Sequence, residues 1–183
     1  MKSMFTDWLD HLREIRDTPW EKVTLVGLLA ALSSVALVLI VYATSADGWV
    51  PLLDSLNLAF HEAGHPLFSP FGETLHILGG TFMQLIVPML VVGSCWYKRQ
   101  TIGTALAGVW FFQNGFNIAR YMADAREQIL PLAGGGEHDW ATLFGMWGVL
   151  PKDLAIAATV RGLAWIGILG CCGWLLWRWH QDR

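Results

Sequence analysis

Four long, almost uncharged apolar runs set the pattern of this chain, at residues 23–44, 76–97, 102–119 and 154–177, the last broken only by Arg161. Roughly 20 helical residues cross a hydrocarbon layer about 30 Å thick, so each run predicts a membrane-spanning helix. Trp20 and Trp49 bracket the first run, and Trp96 followed by Lys98 and Arg99 closes the second, as aromatic and basic residues do at a lipid–water boundary. The first run is too long for the apolar core of a cleaved leader and is taken as a retained span, with an uncleaved signal anchor as the alternative. Residues 52–68 differ: they are apolar in character but carry Asp54, His61, Glu62 and His65, and Pro66 and Pro70 interrupt any long helix. That predicts a short or re-entrant helix buried by its neighbours. Residues 1–22 mix Trp8, Leu9, Leu12 and Ile15 with Asp7, Asp10, Arg13, Glu14, Arg16 and Asp17, which fits an amphipathic surface helix or a solvated tail. Gly134, Gly135 and Gly136 mark a connection outside the bilayer, and residues 140–150 a short surface or interfacial segment.

The expected fold is all-α: a polytopic membrane bundle of about four transmembrane helices plus a short re-entrant helix, with residues 1–22 as a surface segment and 23–180 as one domain. Lys2, Arg13, Arg16 and Lys22 precede the first span, Lys98 and Arg99 follow the second, and Arg178 and Arg183 end the chain. These basic residues share the cytoplasmic side if residues 52–68 do not cross. Composition agrees with a lipid solvent: 54% of the 183 residues are hydrophobic and 15% charged. A net charge of −3 without a basic tract gives nucleic acid no footing as a partner. Cys95, Cys171 and Cys172 fall inside apolar runs and imply no disulfide framework. Gly162, Gly167, Gly170 and Gly173 predict close helix packing in the last span.

His61-Glu62-Ala63-Gly64-His65 carries the chemistry. Positions i and i+4 share one helix face, so His61 and His65 can offer two imidazoles to one tetrahedral zinc ion, with Glu62 beside them as general base. Zinc lowers the pKa of a bound water to about 7, which suits attack on a peptide carbonyl. Three polar groups on a lipid-embedded helix cost several kcal/mol unless they pair or bind something, which weighs against a chance match. A third protein ligand is required. Gln113, Asn117, Tyr121 and Asp124 form one polar stripe on an otherwise apolar helix, and Asp124 at its end is the first choice, with His138 and Asp139 in reserve. Gln84, Asn117 and Tyr121 are candidates for holding substrate or steadying ligands. Gly79 and Gly80 allow either close approach of an extended segment or tight helix packing.

The segment Phe60-His61-Glu62-Ala63-Gly64-His65, with Phe68-Ser69-Pro70-Phe71-Gly72, Gly79-Gly80-Thr81 and Gln84 after it, resembles the site-2 protease family of intramembrane zinc metalloproteases, in particular small bacterial M50-like members. Tyr121, Ala123-Asp124-Ala125-Arg126, Leu130-Pro131-Leu132 and His138-Asp139-Trp140 extend that resemblance. It implies hydrolysis of peptide bonds in or beside transmembrane segments, two His and one Asp on one zinc ion, Glu62 as base, a membrane protein or peptide as substrate, and a place in the bacterial inner membrane. Two features differ from the family pattern: Asp124 lies between two alanines rather than before a glycine, and Pro66 directly follows the second His. The alternative is a catalytically silent membrane metal-binding protein. Haem fits poorly, because ligands one helical turn apart cannot oppose each other across one haem.

Overall fold

The computed structural model describes residues 13, 14, 16–133 and 136–183. Most of the surface helix expected within residues 1–22 lies outside the described residues, although Arg13, Glu14, Arg16 and Asp17 are described and helical. The rest is helical: α1 (Leu25–Thr44), α2 (Leu53–Phe68), a 3-10 turn (Ser69–Phe71), α3 (Glu73–Tyr97), α4 (Thr101–Ala123), α5 (Asp139–Met146), a second 3-10 turn (Leu150–Lys152) and α6 (Asp153–Gln181).

Among the described residues three helical stretches are long and apolar enough to cross a membrane: Leu25–Thr44, Glu73–Tyr97 and Leu150–Gln181. They bury little of themselves. In α1 only Leu28, Ala31 and Val35 are buried, while Val26 is 78% exposed and Leu37 63%. Such apolar area is costly in water, at about 25 cal/mol per Å², and costs nothing against hydrocarbon. Helix α4 is the opposite case. Its twelve buried residues, Gln113 and Asn114 among them, make it the centre of the bundle, packed most extensively against α6 and also against α3. Its polar residues lower its hydropathy because they are spent on neighbouring helices rather than turned to lipid.

Both ends of α4 are tied to the segments flanking α1. Thr101 donates its hydroxyl to the Glu21 carbonyl at one end, and Arg120 bonds Asp47 at 2.7 Å at the other. At the first end Trp20, Trp96 and Trp174 meet edge and face, with Arg99 and Arg178 over the Trp20 ring. The Val23 amide also donates to Asp182. Of the basic residues grouped from sequence, Arg99 and Arg178 meet at this end of the bundle, while Lys2 lies outside the described residues.

Beyond Asp47 the chain turns back inward, through Leu52 at φ 66°. Helix α2 starts level with the middle of α4, where Asp54 and Asn57 bond Gln113, and runs outward until His61 stands beside Tyr121. The 3-10 turn then hands the chain to α3, which packs tightly along α2. Gly64 and Gly79 make that possible: a β-carbon on Gly64 would collide with the Gly79 carbonyl, so the two backbones touch directly. Of the four glycines expected to pack in the last span, only Gly167 does, against the Phe112 ring; Gly162, Gly170 and Gly173 face open space. Arg161 is likewise exposed.

Helix α5 is short but well anchored. Trp140, Leu143 and Phe144 are buried against Ile118, Ala119 and Met122 of α4 and Ala157 of α6. The stretch expected to lie on the surface thus closes one end of the bundle, and its first residue, Asp139, points back toward α2.

Candidate metal centre

Three elements converge on one point. From α2, His61 and His65 stand one turn apart with ring centroids 4.9 Å from each other. From the start of α5, the Asp139 carboxylate places Oδ2 2.9 Å from His61 Nε2 and 3.5 Å from His65 Nε2. Helix α3 supplies the space: a β-carbon on Gly80 would lie 2.7 Å from His61 Nε2 and 2.8 Å from His65 Nε2. Glycine at this position leaves room for both imidazoles where any other residue would displace them.

The ligand atoms of His61, His65 and Asp139 all lie within 4.8 Å of one another. Zinc bonds of about 2.0–2.2 Å at tetrahedral angles separate neighbouring ligand atoms by roughly 3.3 Å, so this donor set fits a tetrahedral ion with one position left over. Two neutral imidazoles and one carboxylate are also the donor chemistry zinc prefers in a catalytic site.

Of the candidate third ligands, it is the reserve Asp139 and not Asp124 whose carboxylate is grouped with the two imidazoles. Asp124 caps the end of α4 and accepts from the amides of Ile129 at 2.9 Å and Leu130 at 3.0 Å. Its Oδ2 also lies 3.4 Å from His138 Nε2. It pairs with neither Arg120, which bonds Asp47, nor Arg126, which bonds Asp153 at 2.8 Å. His138, the other reserve, is buried with its ring packed on Tyr121 and is not grouped with the two α2 imidazoles. Its Nδ1 accepts from the Ala141 amide as the N-cap of α5, leaving Nε2 to face Asp124. Burial pulls the His138 imidazole below its usual pKa, an effect that the Asp124 charge opposes. Asp124 and His138 thus shape the loop that delivers Asp139.

The polar stripe on α4 faces this region, as its periodicity requires. Tyr121 Oη accepts from the Asp139 amide at 3.1 Å, and its ring packs 4.1 Å from that of His138. Asn117 accepts from Gln84 Nε2 at 3.1 Å. Gln113 is deeper, in the buried cluster with Asp54 and Asn57, and Trp110 Nε1 donates to Asn57 Oδ1 at 2.8 Å.

A cavity of about 720 Å³ opens over the centre, lined among others by His61, Glu62, His65, Gln84, Asn117, Tyr121 and Asp139. Glu62 is half-buried on its wall, directly beside the two His by its place in the helix. One contributor carries little sequence signal: His76, at the start of α3, exchanges hydrogen bonds with His65. Its distance from the motif in sequence and its place at a span end give no reason to single it out. Comparisons of the chain with protein-family models, curated proteins and solved structures find no match.

Proposed function

We propose that this protein is a membrane-embedded zinc metalloprotease of the site-2 type, with His61, His65 and Asp139 as ligands and Glu62 as general base. The observation that carries the reading is the meeting of Asp139, from a distant helix, with the two imidazoles of a HExxH turn inside a cavity that also contains Glu62. His61, His65 and Asp139 would hold a zinc ion, which would supply Lewis acidity toward water and toward a peptide carbonyl. The Glu62 carboxylate takes a proton from the attacking water and returns it to the leaving amine nitrogen. Gln84 occupies the Asn117 side-chain oxygen, so the Asn117 amide N–H groups remain to donate to a substrate carbonyl. Tyr121 Oη, already accepting from the Asp139 backbone, keeps its own proton to donate into the cavity.

The substrate is a peptide segment within or next to a membrane span, reached from the side of the bilayer where Asp47 and Arg120 lie. Four helices cross in this reading, α4 being the fourth because its ends are level with those of α1. Helix α2 is the re-entrant element, since it starts at mid-depth and leaves on the side it entered. Both termini are then cytoplasmic, in a bacterial inner membrane.

Zinc content and cleavage of a model transmembrane peptide test the reading on detergent-purified protein. The wild type is expected to hold about one zinc per chain. Asp139→Ala and His65→Ala lose it, Asp124→Asn retains it, and Glu62→Gln retains it while cleavage falls by about 100-fold or more. A wild type without zinc overturns the proposal. The same pattern of zinc retention and loss with no cleavage by the wild type favours a silent metal site.

A further inference from the structure

We propose that His76 is a positioning residue for the metal centre: its imidazole clasps the end of α2 so that His65 presents Nε2, and not Nδ1, to the ion. This deepens the metalloprotease reading and rests on His65 being a ligand.

The geometry is reciprocal. His76 Nδ1 lies 2.8 Å from the His65 carbonyl oxygen, and His65 Nδ1 lies 3.0 Å from the His76 carbonyl oxygen. A carbonyl can only accept, so each Nδ1 is the donor and carries a proton. For neutral His65 that leaves the lone pair on Nε2, the atom that faces Asp139. A ligating imidazole is commonly held in this way, its second nitrogen donating to a carbonyl that fixes both tautomer and ring orientation.

Here the carbonyl belongs to a residue eleven positions away, on another helix, so its place depends on what joins the two segments. Local helix bonding at this point is weakened. Pro66 has no N–H to give to the Glu62 carbonyl, and the helix ends at Phe68, three residues beyond His65. The 3-10 turn and Gly72, at φ 99°, then reverse the chain. The His76 side chain bridges this irregular connection and returns to the backbone of the very residue whose ring it orients. The two rings lie 5.4 Å apart, and both line the cavity. Glycines 64 and 79 bring α2 and α3 into backbone contact a turn deeper, but they set the distance between helices and not the rotation of the His65 ring.

The test uses full-length detergent-purified protein with His76→Asn, whose Nδ2–H can replace the imidazole donor, and His76→Leu and His76→Phe, which have no donor. Zinc affinity is measured by competition with a chromophoric chelator. Protonation of the His65 ring nitrogens is read by long-range 1H–15N NMR on metal-free protein, and folding by circular dichroism. The non-donor variants are expected to bind zinc about 10- to 100-fold more weakly, with His76→Asn restored to within a few-fold of wild type. In the wild type and His76→Asn, His65 Nδ1 carries a proton; in the non-donor variants it is only partly protonated. A folded His76→Leu or His76→Phe that binds zinc as the wild type does overturns the proposal. So does an unprotonated His65 Nδ1 in the wild type. Failure of a folded His76→Asn to restore affinity also overturns it. A wild type that binds no zinc defeats the metal-centre reading separately, and the NMR result still decides the clasp.

Discussion

Gly80 shows how narrowly the centre is fitted at the level of single atoms. Its missing side chain is the space in which His61 and His65 hold their nitrogens, and a methyl group there would sit 2.7 Å from the His61 ring. Something must shift, and the neighbours are ring atoms held on a packed helix. Gly80→Ala is therefore expected to weaken zinc binding by about 10-fold or more while leaving the bundle folded, checked by chelator competition alongside circular dichroism. The same scale explains why part of the candidate donor set was legible and part was not. His61, Glu62 and His65 are fixed by helical spacing. Asp124 also has helical spacing to recommend it, three residues after Tyr121, but it falls on the C-cap, where the amides of Ile129 and Leu130 claim its oxygens. Asp139 has no periodic relation to the stripe, because an irregular loop separates it from α4.

Between elements, polar side chains hold α2 in register with α4. Asp54, Asn57 and His61 follow one another at spacings of three and four, which puts them on one face of α2. Asn57 bonds Gln113 and accepts from Trp110 Nε1, and Asp54 accepts from Gln113 and from the Val50 amide. Removing one partner strands buried groups, each at about 1–3 kcal/mol. Asn57→Leu is expected to lower the thermal midpoint in detergent and to weaken zinc binding with it, since rotation of α2 carries His61 away from Asp139; loss of stability with unchanged zinc affinity would show that the register is set elsewhere. Helix α5 depends on packing instead. Trp140, 5% exposed, is the large side chain next to Asp139. Trp140→Ala is expected to cost about 3–5 kcal/mol in a denaturant titration and to weaken zinc binding by loosening the helix start that carries Asp139.

For the molecule as a whole, the apolar outer surface and the buried polar site make opposite demands, met by different helices. The outer faces of α1, α3 and α6 are apolar, and α4 gathers the polar groups inside. One buried group gives the whole fold a pH dependence. The His138 pKa is lowered in the folded protein, so between the folded value and the unfolded value of about 6.5 the unfolded chain binds more protons. Its contribution to stability is complete above about pH 6.5 and is lost as pH falls toward the folded value. In metal-free protein the thermal midpoint is expected to decline from pH 7 to pH 5. The decline should be shallower in His138→Gln, whose amide oxygen can still cap α5; parallel curves would remove His138 as the cause.

From sequence alone, the long uncharged runs determined the helical class and helices apolar enough to cross a membrane, and the four-residue spacing of His61 and His65 with Glu62 between them determined the candidate chemistry. The α4 stripe was also legible, because a polar face on an apolar helix needs a protein interior or a water-filled cavity. These are local or periodic properties, carried by neighbours in the chain. Only the tertiary structure brought Asp139 to the two imidazoles, set Asp124 against His138 beside it, and joined His76 to His65 by hydrogen bonds. Those contacts join residues on different helices through an irregular loop and a proline-interrupted hairpin. Their meeting is set by glycine-mediated backbone contact and by the packing of α5, neither of which leaves a period in the sequence.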